Sequence, residues 1–219
     1  MHKDHRSRLK NRFLNEGLDH FEPHNILELL LFYAIPQKDT NELAHTLIQR
    51  FGSLTKVFDA PFQELLTVPG IKEHSATLIK MIPELARAYA MKKNETSETF
   101  PDVESWGKYF VSRYIGIGVE TVFLLLLDNQ FNTIDCVKVH EGSVNSAALS
   151  FRKIAEAVCA KNASAAVLAH NHPSGLAIPS SEDLLTTREL CKSFQMLGVN
   201  LLAHIIVAGD QFINIFPQQ

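Results

Sequence analysis

A continuous apolar segment, TVFLLLLD at residues 121–128, most constrains the fold of this chain. It has the length of a β-strand and lacks the apolar–polar alternation of a strand with one face in water. Strands of this kind belong to sheets that carry helices on both faces. The run from Val122 to Leu127 is far too short to span a bilayer, so the sequence predicts a buried strand and no membrane contact.

Strand-like and helical segments alternate after residue 102. Short apolar segments predict strands, and apolar residues three and four positions apart predict the helices between them. This alternation is typical of an α/β fold built on one sheet. The predicted strands span 121–128, 132–140, 163–171, 199–208 and 212–216, and the predicted helices span 103–115, 150–162 and 181–197.

The first ninety residues have a different, all-helical pattern. Thr40 is a candidate N-cap of one helix, and Gly52 stands where that helix is expected to end. The segment KKNETSETFPD at 92–102 is polar, contains a proline and lacks apolar periodicity, which is typical of a linker. We therefore expect a helical domain at 1–91, a linker at 92–102 and an α/β domain at 103–219.

Composition excludes several classes of protein. The formal net charge of −3 excludes polyanion binding by bulk charge alone. Three cysteines without a CxxC pair argue against a disulfide scaffold and indicate a reducing compartment. The charged start, MHKDHRSRLKNRF, has no apolar core of the signal-peptide type. We expect a cytoplasmic protein.

The third predicted strand ends on a pair of histidines that could hold a metal ion. Side chains at i and i+2 of a strand lie on one face, so His170 and His172 can converge on one ion. Imidazole suits zinc, and Asp183 is the nearest candidate for a third ligand. The fourth position would then remain open for water, which distinguishes a catalytic zinc from a structural one.

A structural interpretation of the same residues stays open. Ser180-x-x-Asp183 also fits a helix N-cap with an acidic residue at the third helical position. Asp183 would then only complement the helix dipole, and the two histidines would belong to a solvated loop.

The pattern His170-x-His172-x7-Ser180-x2-Asp183 resembles the JAMM signature of the MPN/JAB metalloproteases. The segments HNHPSG, PSSED and LLAHIIVAGD are similar to the RadC family in particular, and the similarity extends over nearly the whole chain. The resemblance implies a C-terminal JAB domain related to the cytidine deaminase fold. It also implies a zinc ion held by these two histidines and the aspartate, and hydrolysis of an unidentified peptide or isopeptide amide.

The resemblance also implies roles that the residues alone do not indicate. The signature has an upstream glutamate as general base, which here is Glu120, directly before the first strand. Glu141, at the end of the second strand, is the rival. The family's serine, here Ser180, would stabilise the developing oxyanion. RadC proteins commonly have an aspartate where this chain has Ala203, a change expected to weaken a contact behind the metal. His204 on the same strand is expected to be a core residue, not a ligand.

A turn in the N-terminal part, TVPGIKEHSATLI, resembles a helix-hairpin-helix. Such hairpins bring backbone N–H groups to a DNA phosphate. Gly70 and Ile71 match the motif, and Lys72 replaces its second glycine. A hairpin used only for packing or protein contacts is the alternative, and acidic residues nearly balance the basic ones here. A local basic cluster supports DNA contact: Lys3, Arg6, Arg8, Lys10 and Arg12.

Two functions of different classes follow. The first is a zinc-dependent metallopeptidase. The second is a DNA-associated binding module that contacts DNA independently of sequence, with the JAB domain as a scaffold. Nuclease or deaminase chemistry at the same metal is a third possibility, and the deaminase case is disfavoured because the chain has no Pro-Cys-x-x-Cys segment.

Overall fold

A computed structural model of the protein describes residues 2–94, 102–142, 151–173 and 175–216. The chain divides into two compact units between Leu85 and Ala86. Among the described residues, no helix combines the length and the apolar character needed to cross a membrane.

The first unit is helical, as the periodicity predicts. Its core is formed by buried aliphatic side chains that include Leu27, Leu47 and Ile79. Gly52 ends the third helix with φ of +92°, and its N–H donates to the carbonyl of Ile48. Its helices are α1 (His2–Glu16), α2 (Pro23–Ala34), α3 (Asn41–Phe51), α4 (Leu54–Asp59) and α5 (Phe62–Leu66), together with the part of α6 (Glu73–Asn94) up to Leu85.

Helix α6 extends into the segment predicted to be a linker. Residues 92–94 are its last three residues, and the rest of that segment up to residue 101 lies outside the described residues. Asp102 begins the next helix through a reciprocal capping box with Ser105. The domain limits given above stay predictions.

The second unit contains a five-stranded sheet in the order β2-β1-β3-β4-β5. Strand β1 pairs antiparallel with β2 and β3, β3 pairs parallel with β4, and β4 pairs antiparallel with β5. The predicted single-sheet α/β class is confirmed, with mixed strand directions. The elements are α7 (Val103–Arg113), β1 (Thr121–Leu127), β2 (Thr133–Glu141), α8 (Phe151–Ala160), β3 (Ala165–Asn171), α9 (Ser181–Met196), β4 (Asn200–Ala208) and β5 (Gln211–Asn214).

Every residue of β1 is buried, which explains its continuous apolar sequence. Alternate side chains pack on opposite faces of the sheet. Phe123 and its same-face neighbours pack with Phe110 of α7, whereas Leu124 and its neighbours pack with Ile154 of α8 and Phe194 of α9. The sheet is therefore covered on both faces.

Strand pairing brings distant parts of the chain to one edge of the sheet. Because β1 and β3 are antiparallel, the start of β1 lies beside the end of β3, with Val122 opposite His170. The backbone N–H of His172 donates to the carbonyl of Val207, so the chain follows β4 for one residue beyond β3. His170 and His172 therefore lie next to the residues that come just before β1.

Candidate metal centre

The two histidines of the HNH segment converge with their ring nitrogens. The Nε2 atoms of His170 and His172 lie 2.9 Å apart, with His170 buried and His172 half-buried. The Nδ1 atom of His172 lies 2.9 Å from the carbonyl oxygen of Leu176. A carbonyl only accepts, so Nδ1 of His172 carries a proton, and in the neutral ring Nε2 keeps its lone pair.

Asp183 completes this group from the first turn of α9. Its Oδ1 lies 3.2 Å from His170 Nε2, and its Oδ2 lies 3.8 Å from His172 Nε2. Burial of the Asp183 carboxyl would raise its pKa, but hydrogen bonds with His170 and Ser180 outweigh burial and hold that pKa well below its ordinary value. Asp183 is therefore an ionised, buried carboxylate beside two imidazoles.

The separations within this group fit a zinc ion. A tetrahedral ion with bonds of about 2.0–2.1 Å keeps its ligand atoms about 3.3–3.4 Å apart. The separations of 2.9, 3.2 and 3.8 Å between these atoms fall on both sides of that value. Two nitrogen lone pairs this close would repel each other unless a cation or a proton lay between them. The donor set of His170, His172 and Asp183 therefore fits a divalent transition metal.

Ser180 caps α9 and orients Asp183 at the same time. The backbone N–H of Asp183 donates to Ser180 Oγ at 3.1 Å, and Ser180 Oγ donates to Asp183 Oδ2 at 2.7 Å. The backbone N–H of Ser180 also donates to Oδ2, at 2.8 Å. The capping interpretation and the ligand interpretation are therefore compatible, because the cap holds Oδ2 and leaves Oδ1 beside His170. An N-cap of this kind contributes about 1 kcal/mol to stability.

Glu120 lies beside His170 and His172, although it is fifty residues from His170 along the chain. Its carboxylate forms a candidate metal-binding group with His170 and His172, in which the ligand atoms all lie within 4.8 Å of one another. The rival, Glu141, is exposed and pairs with Lys138. The structure thus brings Glu120, and not Glu141, to the candidate ligands.

Asn171, between the two histidines, fixes the segment that carries Glu120. Its side chain points to the opposite face of β3 because side chains alternate along a strand. Oδ1 accepts from the N–H of Thr121 at 2.7 Å, and Nδ2 donates to the carbonyls of Ile117 and Val119, each at 3.1 Å. These three bonds anchor the backbone on both sides of Glu120. Residue spacing did not indicate this role for Asn171.

Ala203 lies away from the metal position, contrary to the expectation from the sequence. It is fully buried among Phe110, Val167 and their neighbours on the α7 face of the sheet. His204, the next residue, is therefore on the other face, with His170. The alanine cannot remove a contact behind the histidines, because its side chain points to the opposite side of the sheet.

The turn that resembles a helix-hairpin-helix lies between α5 and α6. Gly70 has φ of +96°, a backbone conformation that favours glycine. The N–H of Ile71 donates to Val68 O at 3.0 Å, and the N–H of Lys72 donates to Ser75 Oγ at 2.8 Å. These two amides are already used within the chain. The helix-hairpin-helix assignment and the DNA contact stay predictions, as does the resemblance to the cytidine deaminase fold.

Two basic side chains of α1 donate to backbone carbonyls in the turns that follow α1 and α2. The guanidinium of Arg6 donates to the carbonyls of Ile35 and Pro36, each at 2.7 Å, at the end of α2. Arg12 donates to the carbonyl of His20 at 2.6 Å. Two members of the basic cluster therefore have structural partners.

Comparisons with known proteins agree with this architecture. The family model described as RadC-like JAB domain matches residues 100–218. A UPF0758 protein of Fusobacterium nucleatum is 32% identical over 222 residues, covering 98% of this chain and 95% of the relative. A UPF0758 protein of Shewanella oneidensis is 29% identical, covering 96% and 93%, and one of Cupriavidus pinatubonensis is 33% identical, covering 84% and 81%.

The second unit is therefore a mixed α/β JAB domain with a candidate metal centre of two histidines and nearby carboxylates. The chain as a whole belongs to the RadC family.

Proposed function

We propose that the protein is a zinc-dependent hydrolase that cleaves a peptide or isopeptide amide. One observation carries this proposal: the ring nitrogens of His170 and His172 converge beside the buried carboxylate of Asp183, with the carboxylate of Glu120 in reach of both histidines. Three protein ligands with room for a fourth are typical of catalytic zinc sites. The imidazole-rich donor set favours zinc over magnesium or calcium.

In the proposed reaction the metal ion would activate the water, and Glu120 would transfer the proton. Zinc bound here would lower the pKa of its water to about 7 and so supply a nucleophile at neutral pH. Glu120 takes a proton from the attacking water as its oxygen bonds to the amide carbon. Glu120 then returns that proton to the leaving nitrogen as the carbon–nitrogen bond breaks. Its separation of up to 4.8 Å from the histidine ligand atoms leaves room for a water between them.

In this proposal Ser180 orients Asp183, whereas the family resemblance implies that Ser180 stabilises the oxyanion. Its hydroxyl proton is donated to Asp183 Oδ2, so it orients the ligand that lies beside His170. Stabilisation of an oxyanion by Ser180 would require its hydroxyl to turn from Asp183 to the substrate carbonyl.

Chemical labelling of new amines in a lysate tests the proposal. The zinc-loaded protein is incubated with the lysate, and new α-amines and lysine ε-amines are labelled and identified by mass spectrometry. A peptidase yields new α-amines, and an isopeptidase yields new ε-amines. Asp183→Ala, prepared in the same way, is the control. We expect products with the wild-type protein only; identical product sets from both proteins, or none from either, would contradict the proposal.

A further inference from the structure

A second buried histidine lies directly behind His170. His204, on β4, is almost completely buried, and both of its ring nitrogens contact other side chains. Its Nε2 lies 2.9 Å from Nδ1 of His170, and its Nδ1 lies 2.6 Å from Oγ1 of Thr187 on α9. Leu168 and His204 are opposite each other in the parallel pair β3–β4, which brings His204 to the same face as His170.

The Thr187 hydroxyl fixes the direction of the first hydrogen bond. Its Oγ1 lies 2.6 Å from the backbone carbonyl oxygen of Asp183. Two oxygens this close need a proton between them, and a carbonyl only accepts, so the single hydroxyl proton of Thr187 is donated there. The contact between Thr187 Oγ1 and His204 Nδ1 then requires a proton from the imidazole. Nδ1 of His204 therefore carries a hydrogen.

The second hydrogen bond follows from the first. His204 is almost completely buried, and its ring nitrogens contact a hydroxyl and an imidazole but no carboxylate, so the neutral ring with a single proton is the form that fits this position. With that proton on Nδ1, Nε2 of His204 can only accept. The 2.9 Å contact is therefore a donation from Nδ1–H of His170. If a metal ion takes the place of the proton that Nε2 of His170 donates to Asp183, the Nε2 lone pair is directed at that ion, beside His172 and Asp183.

We propose that Thr187 and His204 are positioning residues that select the tautomer of His170 and orient its Nε2 lone pair toward the metal position. This chain of hydrogen bonds, which we call the relay, runs from His170 through His204 and Thr187 to the carbonyl of Asp183. It joins two of the proposed metal ligands through the protein interior. Partners of this kind hold a ligating ring in orientation and raise its basicity. The proposal depends on the proposed metal site but not on hydrolysis.

Nuclear magnetic resonance tests the tautomers directly. Long-range ¹H–¹⁵N correlation spectra of the zinc-loaded, ¹⁵N-labelled protein show which ring nitrogen carries each proton, and His204→Gln identifies the His204 signals. We expect a neutral His204 protonated at Nδ1, and a His170 protonated at Nδ1. A His204 protonated at Nε2 would overturn the relay. The measurement uses the wild-type protein, so no folding defect of a variant affects it.

Zinc affinity tests the consequence of the relay. Thr187→Val keeps the shape of the side chain but removes the acceptor for His204, and should weaken zinc binding about 10- to 100-fold in competition with a chromophoric chelator. Thr187→Ser keeps the hydroxyl and should bind zinc nearly as the wild type does. The matched control is Thr186→Val. Thr186 is also buried on α9, and its hydroxyl has no hydrogen-bond partner among the described residues.

The results separate the relay from the hydrolase. Weak zinc binding by Thr187→Val alone, in a protein that cleaves nothing, would uphold the relay and refute the proposed function. Wild-type affinity in Thr187→Val, or an equal loss in Thr186→Val, would refute the relay even if the protein cleaves amides.

Discussion

At the scale of single residues, two glutamates compete for the role of general base. Glu120 lies with the candidate ligands, whereas Glu141 pairs with Lys138. Glu120→Gln keeps size and hydrogen-bonding capacity but removes the basic carboxylate. Hydrolysis should fall by about two to four orders of magnitude, the usual contribution of a positioned base. Zinc content, measured on the same samples by mass spectrometry, should stay near wild type.

The matched variant is Glu141→Gln, which removes a carboxylate of the same chemistry next to the start of β1. It should leave the hydrolysis rate close to that of the wild type. A large loss with Glu141→Gln and a small one with Glu120→Gln would reverse the assignment of the base.

Local spacing could predict only part of the candidate site. His170, His172 and Asp183 are close in sequence, so strand periodicity could indicate that the two histidines converge and that Asp183 is the nearest third candidate, while a structural role for all three stayed open until the family resemblance was considered. Glu120 was indicated only by the family resemblance, because its position depends on the antiparallel pairing of β1 with β3. Thr187 and His204 were not identified as partners. Thr187 follows Asp183 by one helical turn, but its contact with β4 depends on the packing of α9 against the sheet.

At the scale of elements, strand β3 performs two tasks on its two faces. His170 and His172 direct ring nitrogens to one face, while Asn171 on the other holds the backbone around Glu120. Asn171→Ala should therefore leave zinc affinity near wild type and reduce the rate of hydrolysis, by up to about a hundredfold if the base is displaced by an ångström. Chelator competition and initial rates on the same preparation would separate the two effects.

Asn171→Asp is the second variant for that test. It keeps an acceptor for the Thr121 N–H but places a carboxylate oxygen against the carbonyls of Ile117 and Val119, so its rate should be no higher than that of alanine. An equal loss of zinc affinity and rate in Asn171→Ala would show that Asn171 supports the ligands and not the base.

Strands and helices of the second unit could be predicted because each one has its own apolar pattern. The sheet order and the parallel direction of β3 and β4 could not, since pairing depends on contacts between distant segments. Strand alternation also corrects the expectation for Ala203. Successive side chains of a strand point to opposite faces of the sheet. His204 therefore contacts His170, whereas the side chain of Ala203 packs on the other face.

At the scale of the whole molecule, the alternative function assigns DNA binding to the helical unit. The amides of Ile71 and Lys72 are hydrogen-bonded within the chain, whereas the side chain of Lys72 is exposed and can be tested for a phosphate contact. Gly70→Val is a poor probe, because a φ of +96° strains any branched residue. Lys72→Ala avoids that problem.

We expect Lys72→Ala to leave any binding to a random duplex unchanged, as measured by fluorescence anisotropy over a range of salt concentrations. A phosphate contact would instead reduce the salt dependence by about one counterion. Strong binding that falls steeply with salt, and that Lys72→Ala weakens, would favour the DNA-associated module.

The metal content of the purified protein tests the central claim most directly. Protein prepared without chelator at neutral pH, where imidazole is able to ligate, is analysed by inductively coupled plasma mass spectrometry beside His172→Ala and Asp183→Ala. The account predicts about one zinc ion per wild-type chain, as a single site with one ligand set requires, and a marked loss in both variants. Full occupancy in both variants, or no zinc in a wild-type protein exposed to zinc, would contradict it.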